Sequence, residues 1–304
     1  MCYVFMRMVS LQSGSNGNCV YVESGGIRLL IDAGLTGDLT ENRLSQAGID
    51  VQSIDGVLIT HDHADHVKCA GVLRRKFQLP IWLTAKTYER AIQKYSIGQV
   101  NDVNFFTAGE RIIFGNIAVE TIPTPHDAVD GVCFVIDDGS KRLGIMTDLG
   151  RTKPLPTDPR KISITENDNP NNNPQNTQQK LFDNIEQNDT KPSSTYSENY
   201  YEKIIATLDG LLIESNFDIE LLASGSYSRE LQSRIRGEGG HLSNLEAATL
   251  LKSSGKKLQW ACLGHISKEN NHPEIVMETH REILGQHFEL HIASRYGTSD
   301  VLEL

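Results

Sequence analysis

Short apolar runs rich in Val, Ile and Leu recur along the first half of the chain, separated by Gly-containing turns. Their length and spacing predict strands over 4–11, 19–23, 27–31, 56–60, 81–83, 111–114, 117–121, 132–136 and 143–146. Helical spacing interrupts them at 66–77 and 85–95. From about 158 to 199 the pattern vanishes into Asn, Gln, Ser, Thr, Pro and Asp. So little apolar surface cannot offset the entropy of ordering the chain, so the stretch reads as a disordered insertion. Order resumes with a helix over 204–208, a strand over 211–214 and a helix over 227–235. A helix over 245–252 follows, and its start is marked by a capping box, Ser243 with Glu246 three residues later. A strand over 258–263, a helix from about Pro273 and a strand over 288–293 complete the pattern. Strands and helices mix on both sides of the insertion without a fixed-period repeat, which predicts one α/β domain over 1–304 with a loop grafted into it.

Composition narrows the class. Five cysteines, Cys2, Cys19, Cys69, Cys133 and Cys262, are scattered without a Cys-x-x-Cys pair, which argues for a reducing compartment rather than a disulfide framework. Cys69 reads as a buried thiol on the helix after the motif described below. The first ten residues carry no charged leader. No run approaches the roughly 18 apolar residues of a membrane span. A cytoplasmic protein without a membrane partner is expected. The net charge of −10 is unfavourable for nucleic-acid binding unless bound cations change the local sign.

The chemistry concentrates after the strand ending at Thr60. His61-x-His63-x-Asp65-His66 places four metal-ligand side chains within six positions. His61 and His63, two apart on an extended segment, can turn to one ion; Asp65 and His66, where a helix begins, can reach a second. Imidazole with carboxylate suits borderline divalent ions, zinc or manganese. His126, Asp148 and His265 each follow an apolar strand, so they are candidates to converge on the same sheet edge.

With these residues the chain resembles the metallo-β-lactamase-fold hydrolases, whose ligand pattern is the same motif, then a lone His, a lone Asp and a late His. The resemblance implies a four-layer αββα sandwich with a dinuclear site at one end of the sheets. It implies that His61, His63 and His126 hold one ion, that Asp65, His66 and His265 hold the other, and that Asp148 bridges them. Asp32, in Leu-Leu-Ile-Asp-Ala-Gly, matches an early Asp that supports the ligand loop from behind. The stretches Ser13-Gly14-Ser15-Asn16-Gly17-Asn18, Glu214-Ser215-Asn216-Phe217, Gly240-His241-Leu242-Ser243-Asn244 and His265-Ile266-Ser267 are similar to the YycJ/WalJ-type DNA exonucleases of that fold. The insertion departs from the pattern, and no Gly/Pro-rich arm of the tRNA-processing type and no separate cap domain is seen.

Two divalent ions can supply a hydroxide nucleophile near neutral pH and neutralise charge on a transferring phosphoryl group. The expected activity is metal-dependent phosphodiester hydrolysis on DNA, from the 5′ end by the resemblance alone. The catalytic candidates are Asp65, Glu214 and His241. His241 precedes a capped helix N-terminus and is the candidate proton donor, with Glu214 orienting it. Candidate substrate contacts are Ser13, Ser15, Asn18, Tyr227, Arg234, Arg236 and Asn244, with Arg74, Arg75 and Lys76 as a second basic track. A small-molecule hydrolase (cyclic phosphodiesterase or thioesterase), a tRNA 3′-processing endonuclease and a non-catalytic regulatory protein stay open as alternatives.

Overall fold

Alternation within single strands shows how the layers arise. In β3 (Ile27–Ile31), Leu30 faces one core while Leu29 and Ile31 face another. In β9 (Val132–Asp137), Cys133 and Val135 part from Phe134 and Ile136 in the same way. A strand apolar on both faces must be covered on both. The computed structural model describes residues 5–98, 100–101, 103–150 and 199–304. In it, three apolar cores do the covering. The first lies between one sheet and helices α1 (Gly37–Gln46), α3 (Ala70–Phe77) and α4 (Ala85–Lys94). The second lies between the two sheets. The third lies between the other sheet and α5 (Tyr200–Ile205), α8 (Asn244–Ser254) and α9 (Pro273–Leu284). Three cores separate four layers in the order αββα.

The first sheet runs β14 (Leu302–Glu303), β1 (Arg7–Gln12), β2 (Cys19–Ser24), β3, β4 (Gly56–Leu58), β5 (Ile81–Leu83), β6 (Val103–Phe105). The second runs β13 (Leu290–Ile292), β12 (Trp260–Gly264), β11 (Gly210–Glu214), β10 (Arg142–Met146), β9, β8 (Ile117–Pro123), β7 (Arg111–Phe114). Each sheet is antiparallel on one side and parallel on the other, with the change at β3 and at β10. Parallel strands end on a common rim, where ligands of such sheets bind. The two rims meet: Val132 at the start of β9 donates its N–H to the carbonyl of Thr60, just past β4, at 3.0 Å.

Several elements differ from expectation. The helix expected over 66–77 is divided into α2 (Ala64–Val67) and α3. The cause is the chain at Ala33, whose N–H donates to the His66 carbonyl at 2.6 Å and whose carbonyl accepts from Cys69 at 3.0 Å. Gly34 is required beside it, because a Cβ there would lie 1.8 Å from the carbonyl oxygen of Asp65. The pattern did not reveal α1, α6 (Ile219–Ser224), β6 or β14. The helix expected over 227–235 is α7 (Arg229–Arg236), and that over 204–208 starts earlier, at Tyr200. Both halves of the capping box at Ser243 and Glu246 form. The insertion at about 158–199 lies outside the described residues except for Asn199. Cys19, Cys69, Cys133 and Cys262 are buried free thiols, and burial pushes each above its ordinary pKa. Among the described residues no helix is long and apolar enough to cross a membrane.

The inter-sheet core holds the two rims together. Phe134 is fully buried there, 6.0 Å from Phe106 in a T-shaped pair. Phe134→Ala should cost about 3–5 kcal/mol of stability, read as a fall in the denaturant midpoint at unchanged slope.

Candidate metal centre and active site

Apart from Asp65 and His66, which lie on α2 directly after His63, every candidate ligand stands at the carboxyl end of a strand or in the turn beyond it. Asp32 follows β3, His61 and His63 follow β4, His126 follows β8, Asp148 follows β10 and His265 follows β12, while Glu214 closes β11. Asp32, Asp148 and His265 adopt left-handed backbone, with φ of 69°, 50° and 52°. Non-glycine residues rarely do so, and such strain gathers at functional sites. Here it turns each side chain off its strand.

The structure brings the motif and the isolated residues into one cluster. His61, His63 and His126 each offer a ligand atom within 4.8 Å of the others, and so do Asp65, His66 and His265. Between the two groups lies Asp148, with one carboxylate oxygen 2.9 Å from His66 Nε2 and the other 3.7 Å from His126 Nε2. His265 Nδ1 and His241 Nδ1 approach that second oxygen at 3.2 and 3.3 Å. His63 Nδ1 and His126 Nε2 are 3.2 Å apart, and Asp65 is 3.6 Å from His66 Nε2 and 3.5 Å from His265 Nε2.

Contacts behind the cluster aim the rings. Asp32 Oδ2 lies 2.7 Å from His66 Nδ1, and Asp32 Oδ1 accepts the N–H of Thr60 at 2.8 Å. The Thr60 hydroxyl lies 2.9 Å from His61 Nδ1. His126 Nδ1 lies 3.0 Å from the carbonyl of Gly240, the geometry for donating to it. These bonds turn the other ring nitrogens inward, as metal-binding histidines require. The Nε2 atoms of His61 and His265 are buried without a hydrogen-bond partner. Buried ring nitrogens left without a hydrogen-bond partner beside buried carboxylates fit a divalent cation.

Electrostatics point the same way. Burial, and then the neighbouring His66, hold His61 well below its usual pKa, which keeps it neutral. Burial would also lower His66, but Asp32, Asp148 and Asp65 outweigh it and raise His66 well above. Burial is likewise overridden at His265, which Asp148, Asp65 and Glu214 push up to about 10. The carboxylates that favour a proton on His66 and His265 are the groups whose charge would equally hold a divalent cation.

Glu214, wholly buried, organises the far side. Its Oε1 accepts the backbone N–H groups of Leu149, Gly150 and Leu242 at 2.9, 3.1 and 3.0 Å, and its Oε2 lies 3.0 Å from His241 Nδ1. Burial alone would raise its pKa, but His241 and His265 bring it down to about 2, so it is ionised.

A cleft of about 390 Å³ opens above the cluster, lined among others by Ser15, Tyr227, Arg234 and His241. The remaining expected contacts lie elsewhere. Ser13 is buried and its hydroxyl accepts the N–H of His265 at 2.8 Å, while Asn18, also buried, has Nδ2 2.9 Å from His66 Nε2, the ring nitrogen turned to the cluster, and neither lines the cleft. Asn244 is buried, with its carboxamide bonded to Ser215 and Asn271. Arg236 is exposed and does not line the cleft. The second basic track is engaged within the fold: Arg74 Nε and Arg75 Nη1 donate to the carbonyls of Asn101 and Ile97, and Lys76 pairs with Asp38 and Glu41.

The sequence reading missed four polar residues. Thr60 and Asp62 lie inside or beside the motif; Asp62 is buried, pairs with Lys94 at 2.7 Å and accepts the N–H of Val129 at 3.0 Å, tying the His61 loop to the His126 loop. Asn216 donates to the His265 carbonyl at 2.8 Å. Asp127 lies 3.6 Å from both His63 Nε2 and His126 Nε2. Their only signal was adjacency to a named ligand or motif.

Residues 13–192 match the family model of the metallo-beta-lactamase superfamily. The chain is 30% identical over 272 residues to exodeoxyribonuclease WalJ of Streptococcus pneumoniae, covering 88% of this chain and 84% of that one. It is 28% identical over 291 residues to exodeoxyribonuclease YycJ of Bacillus anthracis, covering 92% of each. The crystal structure of the metallo-beta-lactamase fold protein YhfI from Bacillus subtilis superposes with a TM-score of 0.63 at 16% identity, over 99% of this chain and 100% of that one, a likeness of fold.

Two outcomes are expected. Titrating metal-free protein with Mn²⁺ or Zn²⁺ should release protons, with affinity falling as pH is lowered; calorimetry in buffers of different ionisation enthalpy checks this. Asp32→Asn should weaken metal affinity by about 10- to 100-fold, read as metal retained after dialysis.

Proposed function

The chain belongs to the metallo-β-lactamase superfamily and is a metal-dependent hydrolase, and from that we propose a two-metal phosphodiesterase that degrades DNA from the 5′ end. The observation that carries this reading is the pairing of His241 with ionised Glu214 beside the two ligand groups. A site that only bound metal has no use for an oriented imidazole at the mouth of its cleft. The names of the relatives, exodeoxyribonucleases over most of both chains, favour DNA. The 5′ polarity rests on resemblance to that subgroup.

His61, His63 and His126 would hold one ion, and Asp65, His66 and His265 the other, with Asp148 shared. When bound, such ions supply an activated water and neutralise the charge of the transferring phosphoryl group. The rest is the work of this chain's own residues. Glu214 Oε2 engages His241 Nδ1, so Nε2 is the nitrogen left for the leaving oxygen, and the proton it would hand over is the one Nε2 carries in the imidazolium form. The three N–H bonds on Oε1 prevent the carboxylate from swinging away from that task. Arg234 brings positive charge to a cleft otherwise crowded with carboxylates.

Purified protein with added Mn²⁺ or Zn²⁺ should shorten end-labelled single- or double-stranded DNA from the 5′ end, and Asp148→Ala should abolish this. His241→Ala should lower kcat by about 10²–10⁴-fold while metal content, by elemental analysis, stays at the wild-type level. Undiminished turnover in that variant would remove His241 as proton donor. Two bound metals with no cleavage of any DNA would sink the nuclease reading.

A further inference from the structure

Helix α7 has no buried residue, so it adds little to any core. Its inner face does something else. Leu231 and Ile235, four apart on that face, line the cleft together with His63, His126 and Asp148, and Tyr227, two residues before the helix begins, lines it beside them. Arg234 stands beside this stripe and also lines the cleft. Its Nε donates to Asp127 Oδ2 at 2.6 Å, and the other oxygen of Asp127 lies 3.6 Å from both His63 and His126. A guanidinium therefore waits beside the candidate metal positions, held by a carboxylate that a phosphate can replace, since the Arg234 side chain is 63% exposed and such exposed pairs are weak.

The stripe is held in register with the site rather than hinged over it. His241 donates its N–H to the Ile235 carbonyl at 2.9 Å, and Asp127 donates to the Gly239 carbonyl at 2.9 Å. The Gly240 carbonyl receives His126 Nδ1. Gly240 itself admits no side chain, because a Cβ would lie 2.1 Å from the Ile235 carbonyl oxygen. The end of α7 is thus bonded to the residues that carry the chemistry.

We propose that Tyr227 and this face of α7 together form a nucleoside platform: Tyr227 stacks on one base, Leu231 and Ile235 flank its sugar, and Arg234 leaves Asp127 to take the adjoining phosphate. The inference rests on the nucleic-acid reading above and specifies where one nucleotide unit sits. An aromatic ring, two aliphatic side chains and a guanidinium match the base, sugar and phosphate in turn. A volume of about 390 Å³ lies at the small end of the range of about 300–1,000 Å³ for small-ligand sites. One nucleotide fits that scale.

Calorimetric titration of the metal-loaded full chain with thymidine 5′-monophosphate and with 2-deoxyribose 5-phosphate tests this without relying on turnover. The nucleotide should bind about 5- to 150-fold more tightly, the span expected for one stacked base. Tyr227→Ala should erase that preference, Tyr227→Phe should keep it, and Arg234→Ala should weaken both ligands alike. Equal affinity for the two ligands, binding of neither, or a preference that survives Tyr227→Ala overturns the platform. The DNA assay separates the two ideas. A Tyr227-dependent preference without DNA cleavage supports the platform and sinks the nuclease reading, while cleavage without the preference does the reverse.

Discussion

A buried carboxylate cannot stand among imidazoles unless charge is balanced around it, and at Asp148 that requirement governs much of the molecule. Four histidine rings approach it between 2.9 and 3.7 Å, one each from α2, the turns after β8 and β12, and the entry to α8. A charge in so dry a place is costly unless compensated on every side. The loops can deliver that compensation only if both sheets end on one rim, which is what the inter-sheet core and the Val132–Thr60 bond secure. Disturbing the register of either sheet would leave a carboxylate or an imidazole stranded. Fold and site are in this sense one problem with one solution.

Most of the architecture was legible because the strands alternate apolar residues toward two different cores, and that alternation is written directly in the chain. What escaped was local and weakly apolar. Helix α1 buries only Gly37, Thr40 and Leu44, so its spacing carries almost no hydrophobic signal. Strand β14 has two residues, and its place beside β1 depends on the chain returning from the second sheet to the first. The division between α2 and α3 was invisible because its cause, the backbone of Ala33, lies far upstream.

At the site, the same distinction holds between chemical type and tertiary position. His61, His63, Asp65 and His66 could be singled out by density, and His126, Asp148 and His265 by their stand at strand ends. Asn244 shared its motif with His241, yet its side chain turns inward to Asn271 while His241 turns to the cleft. Neighbours in sequence at a helix entrance face opposite ways, and no spacing rule announces which one meets solvent. Asp62 and Thr60 are the converse: residues without a signal of their own that fix the aim of those that have one.

The Glu214 clamp has one more consequence, for how this chain can change over evolutionary time. The backbone leaves the described structure just after Gly150, whose N–H is bonded to Glu214, and returns at Asn199, two residues before Tyr201, which is buried and donates to the Pro123 carbonyl at 2.7 Å. Gly150 and Tyr201 are thus each tied to the second sheet, through Glu214 on β11 and Pro123 on β8. Change at either anchor is therefore costly: loss of the Gly150 bond loosens the carboxylate that orients His241, and loss of the Tyr201 hydroxyl frees the end of the strand that leads to His126.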